Sequence, residues 1–124
     1  MIKELSFMEY AKFTIRYPIH WYWWGALMNP LFDLYLLINQ YKTNIIKGYY
    51  IQDKLIGCIV YSNRFKRINY LYVIKEFRNK GIAKQLIESS GAMAVLFAKK
   101  ARQFWLNKGF NFQVSYNILI KGVD

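Results

Sequence analysis

A mixed α/β sheet, in a single domain covering residues 1–124, is the architecture this sequence predicts, and three observations predict it. Strand-like runs cluster between residues 45 and 74 and then alternate with helical segments, as in a sheet with helices packed on it. Apolar residues make up 55% of the chain and aromatics 19%, enough to bury a core and to exclude global disorder. At 124 residues the chain has room for one such core.

Each element has a local reason. IKELSF opens as a short strand. Ser6-Phe7-Met8-Glu9 has the form of a capping box, so a helix runs from about Phe7 to Tyr17 and stops at Pro18. Asn29-Pro30 is a second helix start, and Leu31, Leu34, Tyr35 and Ile38 recur at helical spacing to about Tyr41. Between these helices lies an aromatic loop, IHWYWWGALM. IIKGYYIQ and KLIGCIVYS read as strands joined by a tight hairpin at Asp53-Lys54. INYLYVI is a third strand, reached through the basic turn NRFKR. GIAKQLIESS is a short helix ended by Gly91, and AMAVLF is a short buried strand. KKARQFWLNK is helical with Gly109 at its end, and FNFQVSYNILI alternates as one final strand.

Eighteen Lys and Arg against seven Asp and Glu give a net charge of +11. That charge predicts attraction to polyanions: nucleic acid, acidic protein, anionic lipid or a phosphorylated cofactor. Solubility through self-repulsion is the plainer reading. A single cysteine, Cys58, excludes an intramolecular disulfide and any cysteine-cluster metal site. It lies in the apolar run LIGCIVY, which predicts a buried, inert thiol. MIKELSFMEY lacks the features of a signal peptide. WYWWGALMNPLFDLYLLI is interrupted by Asn29, Pro30 and Asp33, so it reads as core helix plus loop of a cytoplasmic protein, with no membrane span.

The stretch richest in chemistry is VIKEFRNKGIA, residues 73–83. A strand ends near Ile74, and Asn79 and Gly81 tolerate turn conformations that bulkier residues resist. A helix then starts near Gly81. Its first N–H groups have no intrahelical partner, and its dipole places positive potential there. Arg78 and Lys80 add formal charge, and Gly81 lets an anion approach the backbone. The pattern is neither a P-loop nor the glycine fingerprint of dinucleotide folds.

Leu71-x-Val73 followed by Glu76-Phe77-Arg78-Asn79-Lys80-Gly81-Ile82-Ala83 resembles the acetyl-CoA motif of the GNAT N-acetyltransferases, Arg/Gln-x-x-Gly-x-Gly/Ala, at Arg78, Gly81 and Ala83. Ala101 to Phe110 resembles the family's A-x-x-F-Y-x-x-x-G-F segment, and Asp53 to Gly57 resembles its hairpin ending in a strand glycine. The matches stand in family order over roughly residues 45 to 112.

The resemblance implies a small variant of the GNAT acyl-CoA fold and an enzyme that moves an acetyl group from acetyl-CoA to an amine by direct transfer. The implied cofactor set is Leu71, Val73, Arg78, Asn79, Lys80, Gly81, Ile82, Ala83 and Trp105. The amides of Arg78 to Ala83 would hold the pyrophosphate, Val73 would meet the pantetheine arm, and the thioester would lie where INYLYVI and AMAVLF splay apart. Three positions depart from the family. Trp105 stands where a Tyr often protonates the thiolate, Ala98 where an Asn is common, and Asn69-Tyr70 where many members carry a carboxylate base. Glu76 resembles a loop glutamate that faces solvent. The catalytic candidates are therefore His20, Tyr72 and Tyr116, with no metal. His20 and its neighbours HWYWW either wall the acceptor pocket or fill core.

The acceptor is an amine-bearing small molecule or protein. A second reading is a GNAT-like enzyme modifying nucleic-acid bases, loosely resembling the phage Mom type, motivated by the charge and by aromatics interleaved with basic runs. A third is a catalytically degenerate binder of CoA or nucleic acid.

Overall fold

The computed structural model describes residues 1–16, 38 and 41–122. Strand β1 (Ile2–Glu4) leads into α1 (Phe7–Arg16). The capping box forms: the Ser6 N–H donates to Glu9 Oε1 and the Glu9 N–H donates to Ser6 Oγ, both at 3.2 Å. Of the second expected helix only Ile38 and Tyr41 are described, both helical, and the aromatic loop before it lies outside the described residues.

Strands β2 (Ile45–Ile51), β3 (Lys54–Ser62) and β4 (Arg67–Val73) form an antiparallel meander. The first turn sits one residue earlier than expected, at Gln52 and Asp53. Their φ values of 49° and 65° are those of a two-residue turn that matches strand twist. β3 is buried along nearly its whole length, which explains its continuous apolar run. A 3-10 turn (Lys75–Phe77) then leads to α2 (Ile82–Ser90), β5 (Ala94–Leu96), a second 3-10 turn (Lys99–Ala101) and α3 (Arg102–Asn107). The expected helix over 99–108 is thus a 3-10 turn followed by a short α-helix.

The final strand is a correction. Residues 110–120 form a hairpin, β6 (Phe112–Ser115) and β7 (Ile118–Ile120), turning at Tyr116 and Asn117. Asn117 supplies the turn: its side chain accepts from Ser115 Oγ at 3.1 Å, and its carbonyl accepts from the Phe97 N–H at 2.9 Å. The sheet order is β1-β2-β3-β4-β5-β7-β6, antiparallel except for β4 with β5.

Helices cover both faces of the sheet. Tyr72 meets Phe13 of α1 edge to face at 6.0 Å, whereas a Cβ on Gly57 would stand 3.3 Å from Leu86 of α2 and 3.5 Å from Val73. Adjacent strand residues point to opposite faces, so Tyr72 and Val73 assign α1 and α2 to opposite sides. Gly57 is what lets Leu86 seat against the strand. Ile82, Leu86 and Ile87 are buried, and each contributes about 1.5–3 kcal/mol by burial. Cys58 is fully buried, and burial raises its thiol pKa, as an inert core thiol requires. Among the described residues no helix is long and apolar enough to cross a membrane.

Candidate functional site

The site is built by β4, the turn after it and the start of α2. β4 pairs with β5 only at Arg67–Ala94 and Ile68–Val95, so beyond Ile68 the two strands part. The Ile74 N–H donates to Ile56 O at 2.9 Å. In the alternation of an antiparallel ladder this assigns Tyr72 and Ile74 to β3, and turns the N–H and C=O of Leu71 and Val73 toward the side that β5 has left. A bulge between Val60 and Tyr61 bends the ladder at the same level.

The turn after β4 takes the conformations its residues permit. Asn79 has φ 65° and Gly81 has φ 80°. A Cβ on Gly81 would meet nothing within 4 Å, so the backbone angle demands glycine, and the space in front of it is open. The first hydrogen bond of α2 runs from the Gln85 N–H to Gly81 O at 3.1 Å. The N–H groups from Asn79 to Lys84 therefore find no acceptor among the described residues. Arg78 differs from expectation. Its own N–H closes the 3-10 turn onto Lys75 O at 3.3 Å, so the unpaired run begins at Asn79 and extends to Lys84.

Arg78's side chain braces the strand end. Its Nε–H donates to Val73 O at 2.8 Å and its guanidinium lies 5.3 Å from the Tyr72 ring centroid. Val73 thus keeps its N–H toward the open edge, but its carbonyl is already used.

A groove of about 410 Å³ runs between this turn, α2 and α3. Leu71, Tyr72, Val73, Arg78 and Asn79 line it from the strand and turn, Gly81, Ile82 and Ala83 from the start of α2, and Trp105 from α3. Lys80 is not among the lining residues; its ammonium lies 5.5 Å from the Phe77 ring centroid. Lys84 and Lys108 line the groove unforeseen. Lys84 was legible as a first-turn residue, and Lys108, the C-cap of α3, follows Phe104 by four, its ammonium 5.4 Å from that ring. Trp105 is 6% exposed, wedged edge to face between Phe104 at 5.0 Å and Phe110 at 5.6 Å. Its indole N–H has no acceptor among the described residues.

The catalytic candidates separate. Tyr72 lines the groove and stacks on Tyr70 at 6.5 Å. Tyr116 caps the β6–β7 hairpin, 88% exposed, and does not line the groove. His20 lies outside the described residues. Glu76 is exposed, as expected of a loop glutamate. Chemically, the arrangement offers an anion a nest of amides at a positive helix end, flanked by cations, next to an open strand edge.

The family model described as an acetyltransferase (GNAT) domain matches residues 45–112, more than half of the chain. Of solved structures, the PaiA N-acetyltransferase of Thermoplasma acidophilum, in complex with coenzyme A, superposes with a TM-score of 0.61 at 15% identity, covering 99% of this chain and 98% of that one. The ribosomal-protein-alanine N-acetyltransferase of Brucella melitensis biovar Abortus 2308 superposes with a TM-score of 0.62 at 16% identity, covering 99% of each chain. At these identities the likeness shows the fold. No curated protein matches the sequence at a significant level.

Proposed function

Because the chain belongs to the GNAT acetyltransferase family, we propose that it transfers an acetyl group from acetyl-CoA directly to an amine. The observation that carries this reading is the run of unpaired amides from Asn79 to Lys84 beside the parting of β4 and β5. Those residues fit a diphosphate: consecutive donors, open space before Gly81, and the cations of Arg78 and Lys84 on the groove wall.

Bound there, acetyl-CoA supplies an acyl carbon activated as a thioester. The open edge of Leu71 and Val73 receives the extended pantetheine arm as a strand receives a neighbour. The Val73 N–H, left free by the Arg78–Val73 bond, is a donor for the carbonyl oxygen as negative charge develops on it. The amine nitrogen bonds to the acyl carbon, and the carbon–sulfur bond breaks with its electron pair going to sulfur. The amine loses one proton and the sulfur gains one. Holding the two reactants in line contributes several kcal/mol before any side chain acts.

Proton traffic falls to few groups. No carboxylate or histidine lines the groove among the described residues. Tyr72, whose ring the Arg78 guanidinium meets, is the hydroxyl-bearing residue among the described residues that line the groove. The Trp105 indole N–H, without an acceptor among the described residues, is a hydrogen-bond donor for a bound group but does not give up its proton. His20 remains the further candidate base from the sequence, and Tyr116 serves only an acceptor that reaches the hairpin tip. The acceptor is an amine-bearing small molecule or protein.

Thiol release from acetyl-CoA across an amine panel tests the proposal, together with the melting temperature in acetyl-CoA. A raised melting temperature and amine-dependent thiol release are expected. A raised melting temperature without release identifies a degenerate CoA binder, and neither effect rejects the reading.

A further inference from the structure

The other end of β4 carries a second cavity, of about 490 Å³, at the turn joining β3 to β4. Its walls include Arg64, Phe65 and Arg67, with Ser62, Asn44 and Asn69 among them. The parts are held in place. The Phe65 N–H donates to Ser62 Oγ at 3.2 Å. Arg67 Nε–H donates to Asn69 Oδ1 at 2.9 Å, and Asn69 Nδ2 donates to Asn44 Oδ1 at 3.0 Å. That relay fixes the guanidinium through its Nε and leaves its terminal nitrogens available as a fork.

Phe65 is 61% exposed, with the guanidinium carbons of Arg64 and Arg67 at 5.3 and 5.7 Å from its ring centroid. Lys66 adds a further cation on the same turn, anchored to Asn63 Oδ1 at 3.0 Å. No acidic residue occurs between Asp53 and Glu76, so nothing in this stretch of sequence neutralises the cluster.

Cations alone would suit any polyanion; the exposed ring narrows the choice. A carboxylate-rich peptide or a lipid headgroup offers charge without a planar ring. A nucleotide offers both: a phosphate for the guanidinium forks and a base to stack on the phenyl or guanidinium planes. From this juxtaposition we infer that the β3–β4 hairpin is a nucleotide-binding surface, separate from the groove at the other end of the strand. The net charge of +11 favours a single-stranded nucleic acid over a free nucleotide as the source, because counterion release grows with each phosphate engaged. The inference does not rest on acetyl transfer.

Fluorescence anisotropy of a labelled oligothymidylate of about 12 nucleotides, over a salt series, tests it on the full chain. Phe65→Ala is expected to weaken binding about tenfold. Arg64→Gln is expected to weaken it and to flatten the log–log salt slope by about 0.7. Neither exposed substitution should change the melting shift given by acetyl-CoA, which controls for folding. If that shift is missing even in wild type while Phe65 and Arg64 still govern binding, the transferase reading fails and this one stands. Competition by AMP assigns the site to single nucleotides as well; its absence, with the strand bound, assigns it to the polymer. Undetectable binding, equal binding by wild type and both variants, or equal displacement by polyglutamate from wild type and Phe65→Ala overturns the inference.

Discussion

At its C-terminal end β4 runs into a turn that offers an anion its backbone; at its N-terminal end it emerges from a turn that offers side chains. The cradle, Asn79 to Lys84, uses amides whose direction is set by two left-handed residues and a helix start. The hairpin cluster, Arg64 to Asn69, uses two guanidiniums, that of Arg67 set by a relay of side-chain amides, and one exposed ring. Backbone donors survive every side-chain change except one to proline, but they can be blocked or bent. Side-chain donors can be deleted one by one. The two ends therefore fail in different ways, and single substitutions can tell them apart.

The largest effect is expected from Gly81→Asp. It strains a φ of 80° and sets a carboxylate in the open space where the diphosphate would sit. Acetyl-CoA affinity should fall by at least about a hundredfold by calorimetry, juxtaposed like charges costing several kcal/mol, while oligonucleotide binding is unchanged. Loss of both together would break the separation of the two ends.

Tyr72→Phe is next. It keeps the ring on which the Arg78 guanidinium lies and removes only the hydroxyl. If that hydroxyl carries a proton, kcat falls by about 10²-fold with little change in KM for acetyl-CoA. An unchanged kcat reduces Tyr72 to a wall of the groove. Arg78→Met should weaken acetyl-CoA binding about tenfold, since it removes a cation from the groove and releases Val73 O from a charged hydrogen bond.

The smallest effect lies far from both ends. The Tyr50 hydroxyl donates to Glu9, and this bond, with the Ser6 N–H, holds the Glu9 carboxyl below its ordinary value of 4.5. A depressed carboxylate stabilises the fold above 4.5, and that contribution is lost as pH falls through the lower folded value. Glu9→Gln should therefore flatten the acid limb of the stability curve below pH 4.5 and leave both binding activities intact. Thermal melts across that range measure it.

How far the sequence spoke differs between the two ends for a physical reason. Left-handed backbone admits few residue types, so Asn79 and Gly81 announced the cradle in the chain itself. The C-terminal glycine of α2 was legible on the same ground, and the capping box from the Ser-x-x-Glu spacing of Ser6 and Glu9. The spent amide of Arg78 was not, because it depends on a 3-10 turn that no residue between Lys75 and Phe77 marks. The final hairpin was missed because FNFQVSYNILI keeps its alternation through a turn of only two residues. The hairpin cluster was visible only as a basic run. Its relay joins Asn44 to Asn69, which only strand register and a bulge bring together.

The measurement that bears most directly on the cradle is an amide chemical-shift titration of the full chain with coenzyme A. The largest shifts are expected at Asn79 to Lys84, with smaller ones at Leu71 and Val73. Largest shifts elsewhere, with the amides of Asn79 to Lys84 unmoved at saturation, would contradict it.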